Sequence, residues 1–192
     1  MLNQRGRVVR LGLWFVSFGL IALAGCATKA PPYQPSIDNV QQLKAVAPKG
    51  VKLGEFTVDV DAKNATSIGI RASSMSSSVG SNYADYVAQA LRDELSLAGR
   101  IDPNSNIEIS GVLMGTDIDT GMAKGSGYIE ARFMVKNQGK VRFDKIKRGE
   151  SSWESSFIGA IAIPRAEQSY PSVVQNLLTN LYSDPDFQQS LK

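Results

Sequence analysis

Two periods govern where apolar residues fall along the chain, and they switch several times after residue 50. Phe56, Val58 and Val60 alternate with Thr57 and Asp59, predicting a half-buried strand, and Ile68 and Ile70 carry a second short strand over Ser67 to Ala72. The serine-rich run Ser73 to Ser81 then interrupts regular structure. From Tyr83 the spacing becomes helical. Tyr83, Val87, Ala90, Leu91, Leu95 and Ala98 share a face that is apolar apart from Glu94, with Asn82 placed to cap the helix and Gly99 to stop it. Ile107, Ile109, Gly111 and Leu113 predict a strand, and Gly121 to Gly127 a glycine-rich turn. Ile129, Ala131, Phe133 and Val135 then run through Asn137-Gln138-Gly139 into Val141 and Phe143, which is a hairpin pattern. Trp153 and Phe157 to Ile163 predict one more strand. A final helix follows, with Pro171 in its first turn and Val173, Val174, Leu177, Leu178 and Leu181 as its buried stripe. Asp184-Pro185 caps a short terminal helix ending near Leu191. Helices at the two ends of a mostly antiparallel run predict an α+β fold, with two main helices packed on one face of the sheet.

The first 50 residues have a different texture. Arg5, Arg7 and Arg10 precede an apolar stretch from Leu11 to Ala24, which is the charge and hydrophobic pattern of a secretory signal. A membrane-spanning helix needs about 20 apolar residues, and this stretch ends earlier, at Gly25-Cys26. Leu23-Ala24-Gly25-Cys26 resembles the bacterial lipobox at all four positions. The resemblance implies cleavage by signal peptidase II between Gly25 and Cys26, a diacylglyceryl thioether on Cys26 and acylation of its new amino group. Ala27 to Gly50, with Pro31, Pro32, Pro35 and Pro48 among polar residues, reads as a flexible tether. The expected organisation is therefore a signal over 1–25, a lipidated cysteine and tether over 26–50, and one domain over 51–192. No internal repeat is visible.

Charge and residue inventory then exclude several functions. The chain carries 21 basic against 18 acidic side chains, and loss of the three signal arginines leaves 18 against 18. The basicity thus belongs to the signal and is no argument for a nucleic-acid partner. A local basic run, Lys136 to Arg148, reads as the solvated face of the hairpin. With no histidine there is neither a Ser-His-Asp triad nor a histidine-bearing zinc site, and the single cysteine, Cys26, allows no internal disulfide. Asp119-Thr120-Gly121 matches the short aspartic-protease signature, but one copy would require a homodimer, so a protease is a remote alternative to a strand-end turn. Asp117 and Asp119 fail the EF-hand pattern, because Gly121 and Tyr128 fall at the wrong loop positions. Gly121 to Gly127 lacks phosphate-loop spacing. The reading is a non-enzyme with no metal site and no cofactor.

Ile-Arg-Ala-Ser at 70–73, Tyr-Val-Ala-Gln-Ala-Leu-Arg-Asp-Glu-Leu at 86–95, Trp-Glu-Ser-Ser-Phe at 153–157 and Asp-Pro-Asp-Phe at 184–187 resemble the YajG-like lipoproteins of Gram-negative bacteria. The layout is also similar to the auxiliary lipoproteins of ABC-type lipid transporters and to the lipopolysaccharide-assembly partner lipoprotein. The resemblance implies a periplasm-facing lipoprotein. Ala27 is not the Asp that resembles an inner-membrane retention signal, so the expected location is the outer membrane.

Two functions follow as expectations. One is an accessory or scaffold module for an envelope protein complex, offering a strand edge or a partner-binding loop at Ser73, Ser74, Met75, Ser76, Ser77 and Ser78, with self-association as a variant. The other is a carrier of lipid or another apolar ligand, with a cleft lined by Val87, Leu91, Phe133, Leu177 and Leu178. A void among those five side chains would favour the carrier.

Overall fold

A computed structural model describes residues 27–47 and 50–192 and turns the two periods into eleven elements. They are β1 (Ala27–Lys29), α1 (Ile37–Val46), β2 (Lys52–Lys63), β3 (Ser67–Ile70), β4 (Ser73–Ser76), α2 (Tyr83–Leu97), β5 (Ile107–Asp119), β6 (Lys124–Asn137), β7 (Lys140–Glu154), α3 (Gly159–Tyr182) and α4 (Pro185–Ser190). The fold is α+β. A four-stranded sheet has the order β2-β5-β6-β7, with β2 parallel to β5 and the other pairs antiparallel. A three-stranded sheet has the order β1-β4-β3, with β1 parallel to β4.

Local chemistry explains the best-defined boundaries. The Asn82 side chain accepts from the Ala84 and Asp85 N–H groups at the start of α2. At its end Gly99 adopts φ +67°, and the Arg100 N–H returns to the Leu95 carbonyl, closing a left-handed helix stop. Asp184 likewise caps α4, with Pro185 in the first turn. Gln138 (φ 52°) and Gly139 (φ 76°) form the two-residue turn of the β6–β7 hairpin, whose left-handed backbone matches the strand twist.

Both main helices lie on one face of the larger sheet, α2 over β2 and β5 and α3 over β6 and β7. Between them Tyr83 and Tyr86 of α2 stack against Tyr170 of α3, with ring centroids 5.1 and 5.7 Å from it. Each buried hydroxyl finds a partner on another segment: Tyr83 donates to the Met75 carbonyl, Tyr86 to the Pro31 carbonyl, and Tyr170 shares a hydrogen bond with Thr116.

Five expectations are corrected. The segment read as a tether is part of the fold from Ala27 to Ala47: β1 pairs with β4, and Val40, Leu43 and Ala47 of the following stretch are buried. Serines at 73–76 make a strand because alternation needs only Met75 to point inward, and Met75 is fully buried. The glycine-rich turn shrinks to 120–123, since Gly125 and Gly127 lie in β6, where the Trp153 indole fills the space a side chain at Gly125 would take and Gly127 is crowded by the Asp117 carbonyl and the same indole. Trp153 belongs to β7, whereas residues 159–163 begin α3, whose buried face continues through Ala162 and Ala166. Pro171 therefore lies within α3 and not in its first turn, as does Pro164. The backbone bond each removes is outweighed by the helix's long buried stripe.

Candidate functional site

Three residues of the segment that follows Cys26, Tyr33, Ser36 and Asn39, converge on one carboxylate. Glu94 sits on the buried face of α2 with no exposed surface, and among the described residues no cation pairs with it. Four donors surround it instead. The Tyr33 hydroxyl, the Ser36 N–H and the Asn39 amide donate to Oε1 at 2.6, 3.0 and 3.1 Å, and the Tyr182 hydroxyl donates to Oε2 at 2.9 Å. Burial pushes the Glu94 carboxyl above the usual range, against the opposing pull of these four hydrogen bonds. Burial and the neighbouring Glu94 raise Tyr33 and Tyr182 in turn. Asn39 completes the latch by donating to the Gln175 carbonyl and accepting from the Thr179 hydroxyl, so α1 is stitched to α2 and α3 together. In the sequence Glu94 stands out only as the polar exception on an apolar face, and its four donors come from segments the helical pattern does not reveal.

A second cluster lies where the described chain begins. Ala27 is in register with Ser74, and Thr28 Oγ1 donates to Glu167 Oε1 of α3 at 2.6 Å. Next to Ser74 is the two-residue turn joining β3 to β4, where Arg71 adopts φ 55°. Its guanidinium donates to Thr120 Oγ1 (3.0 Å) and to the carbonyls of Gly121 (2.6 Å), Ser156 (2.7 Å) and Phe157 (2.9 Å). One side chain thus ties the β5–β6 turn to the loop before α3 at the end where β1 starts. Arg71 falls within the Ile-Arg-Ala-Ser motif, yet nothing in the sequence assigned it this role.

The residues named from sequence fare differently. Gly25 and Cys26 lie outside the described residues. Ser73, Ser74, Met75 and Ser76 form the central strand of the smaller sheet, between β1 and β3, and are not a loop. Ser77 is buried with its hydroxyl donating to the Val79 carbonyl, which leaves Ser78 as the exposed member. Asp119 accepts from the Gly121 N–H, making Asp-Thr-Gly a self-bonded turn. Asp117 is occupied by Lys63 and Asn64. Among the described residues, no group of three or more acids is arranged to hold a metal ion.

Val87, Leu91, Phe133, Leu177 and Leu178 all belong to one continuous buried cluster, closing on neighbours where a cleft was expected. The surface carries hollows of its own, some of them polar. One of about 600 Å³ lies between the β6–β7 hairpin and α4, lined by residues including Asn137, Arg142, Asp144, Lys145 and Asp186. Its charges are largely paired: Lys145 bonds Asp184 and Asp186, Lys147 bonds Asp184, and Arg132 bonds Asp144 through both oxygens. Burial raises Asp184, but the hydrogen bonds from Lys147, Lys145 and the Asp186 N–H outweigh it and hold the carboxyl well below its usual value. Much of the basic run is thus engaged with carboxylates, as a solvated hairpin face would be. No helix among the described residues is long and apolar enough to cross a membrane.

No protein-family model matches the chain, and no curated protein matches its sequence. Among solved structures, it is similar to the Xanthomonas campestris protein XCC0632 of the family DUF330. The two are 10% identical over 80% of this chain and 92% of that one, with a TM-score of 0.48. It is also similar to the hypothetical protein CT253 of Chlamydia trachomatis, at 10% identity, 68% and 98% coverage and a TM-score of 0.35.

Proposed function

We propose that this chain is an outer-membrane lipoprotein, anchored through lipidated Cys26, whose domain serves as an accessory or scaffold module for an envelope protein complex. The observation that carries this reading is the pairing of Ala27 with Ser74, one residue after the anchor. A free run from 27 to 50 would reach up to about 80 Å. A folded one holds the domain flush against the periplasmic leaflet, where a module that positions membrane partners belongs. The YajG-like resemblance, and the layout of the auxiliary lipoproteins, belong to this proposal. The closed core supports a binding module over a carrier, because the five side chains that would line an apolar cleft are packed against their neighbours.

Crosslinking in the native envelope with the tagged, lipidated chain should capture an envelope protein, and Cys26→Ala should abolish that capture. Native mass spectrometry of the isolated chain should find only the acylated polypeptide. Absence of a protein partner together with a stoichiometric additional lipid would reverse the choice in favour of the carrier.

A further inference from the structure

Among the described residues ten large apolar side chains are exposed, and six of them lie apart from one another along the fold: Ile37 on α1, Val60 on β2, Leu97 and Ile101 at and beyond the end of α2, and Val141 and Ile146 on β7. The remaining four gather at one end. Met122 (78% exposed) lies in the β5–β6 turn, Phe157 (74%) and Ile158 in the loop before α3, and Ile161 in the first turn of that helix. These segments are joined by the Ser155 N–H to Ala123 carbonyl bond (2.8 Å), by Ile158 accepting from the Ile161 N–H (3.0 Å), and by the Arg71 guanidinium. The cap is thus held by backbone hydrogen bonds while its side chains face outward. Exposed Arg165 stands one helical turn beyond Ile161 on the same face, and exposed Lys124 follows the Met122 turn. Two acids stand nearby: Asp119, at the end of β5, is folded back on the Gly121 N–H, and exposed Glu154 of β7 is in register with Lys124.

We propose that the cap of Met122, Phe157, Ile158 and Ile161 is a bilayer contact, seated in the headgroup region of the phospholipid leaflet that holds Cys26. The inference rests on the lipoprotein reading above. It commits to a lipid occupant because of where the described chain begins. Consecutive Cα atoms are about 3.8 Å apart, so an acylated Cys26 places its chains beside Ala27, hence beside Ser74 and the Arg71 turn that carries the cap. A grouped apolar surface is what settles at a membrane interface, and its polar border is mixed, with Arg165 and Lys124 beside Glu154 and Asp119. The acyl chains supply attachment, and the cap fixes orientation.

Single cysteines placed by Met122→Cys, Phe157→Cys, Val60→Cys and Ile146→Cys can be labelled with the environment-sensitive fluorophore NBD on the processed full chain. Cys26, the sole native cysteine, is blocked by its own lipid. In phosphatidylethanolamine–phosphatidylglycerol vesicles, labels at 122 and 157 should shift to the blue. They should also be quenched several-fold more by headgroup-region nitroxide lipids than labels at 60 and 146. An intact mass from each sample separates the two levels of the account. With the lipid mass present, four equally wet labels would overturn the bilayer contact and leave the anchor standing. Blue-shifted but unquenched labels would overturn it in favour of a protein cover such as a second copy. A mass without lipid would overturn the anchor, and the contact with it.

Discussion

Glu94→Ala should lower the melting temperature of the protein by about 10 °C, the equivalent of roughly 3 kcal/mol in a chain of this size. The substitution strands four donors at once: the Tyr33 and Tyr182 hydroxyls, the Asn39 amide and the Ser36 N–H. A buried donor without an acceptor costs about 1–3 kcal/mol, and solvent entering the cavity recovers part of that. Glu94→Gln keeps the shape and most acceptor capacity, so it should cost about 1 kcal/mol. The pH dependence has an unusual sign. Because burial raises the Glu94 carboxyl in the folded protein, the folded state binds that proton more tightly than the unfolded chain. Its contribution is most favourable at acid pH and is lost as pH rises from the ordinary glutamate range through the raised value. Urea melts across that window should show this decline for the wild type and its disappearance in Glu94→Gln. A wild-type contribution that instead grows with pH would contradict the assignment.

Gly149→Val should be nearly as damaging, for a steric reason. A Cβ built at Gly149 falls 2.3 Å from the Val173 carbonyl oxygen, 2.4 Å from the Leu177 nitrogen and 2.7 Å from the Leu177 Cα. All three are backbone atoms of α3, so the helix itself must move away from β7 and take its buried stripe with it. Overpacking of this kind costs about 1–3 kcal/mol. Gly149→Ala carries the same Cβ and should lose at least half as much. Gly69 on β3 is the matched control, since nothing lies within 4 Å of its Cβ position and no positive φ constrains it. Gly69→Ala should leave the melting temperature within about a degree of the wild type. Equal effects at the two positions would show that helix–strand contact at Gly149 is not what requires the glycine.

These two sites illustrate what the sequence could and could not reveal. α2 was legible because a capping Asn82, a helical stripe and a terminal Gly99 agree with one another. The β5–β6–β7 meander was legible because alternation persists over long strands. β1 and α1 were not, because the apolar residues this segment buries, Ala30, Tyr33, Val40, Leu43 and Ala47, are scattered among prolines and amides. Its order comes from that burial together with β4 pairing and bonds to Glu94 and α3, all made by residues far away in sequence. β4 was hidden because serine supplies no hydrophobic signal and Met75 alone marks the inward face. The start of α3 was misread because Phe157 to Ile163 has strand-like composition and Pro171 looks like a first-turn residue, whereas the tertiary burial of Ala162, Ala166 and Tyr170 extends the helix through it. Arg71 could not be found at all, since its four acceptors, three of them backbone carbonyls, lie about 50 to 85 residues further along the chain.

The central claim is that no slack separates the anchor from the fold. It is tested most directly by hydrogen exchange on the processed, acylated full chain in phospholipid vesicles, read over residues 28–47. The Ala30 N–H donates to the Ser76 carbonyl at 2.8 Å, and the amides of α1 lie within a helix clamped to Glu94 and α3. These amides should exchange far more slowly than an unstructured chain, and Glu94→Ala should selectively accelerate them relative to the β5–β6 amides. Free exchange of 28–47 in the wild-type protein would contradict the account, restoring a flexible tether and a domain that stands away from the membrane.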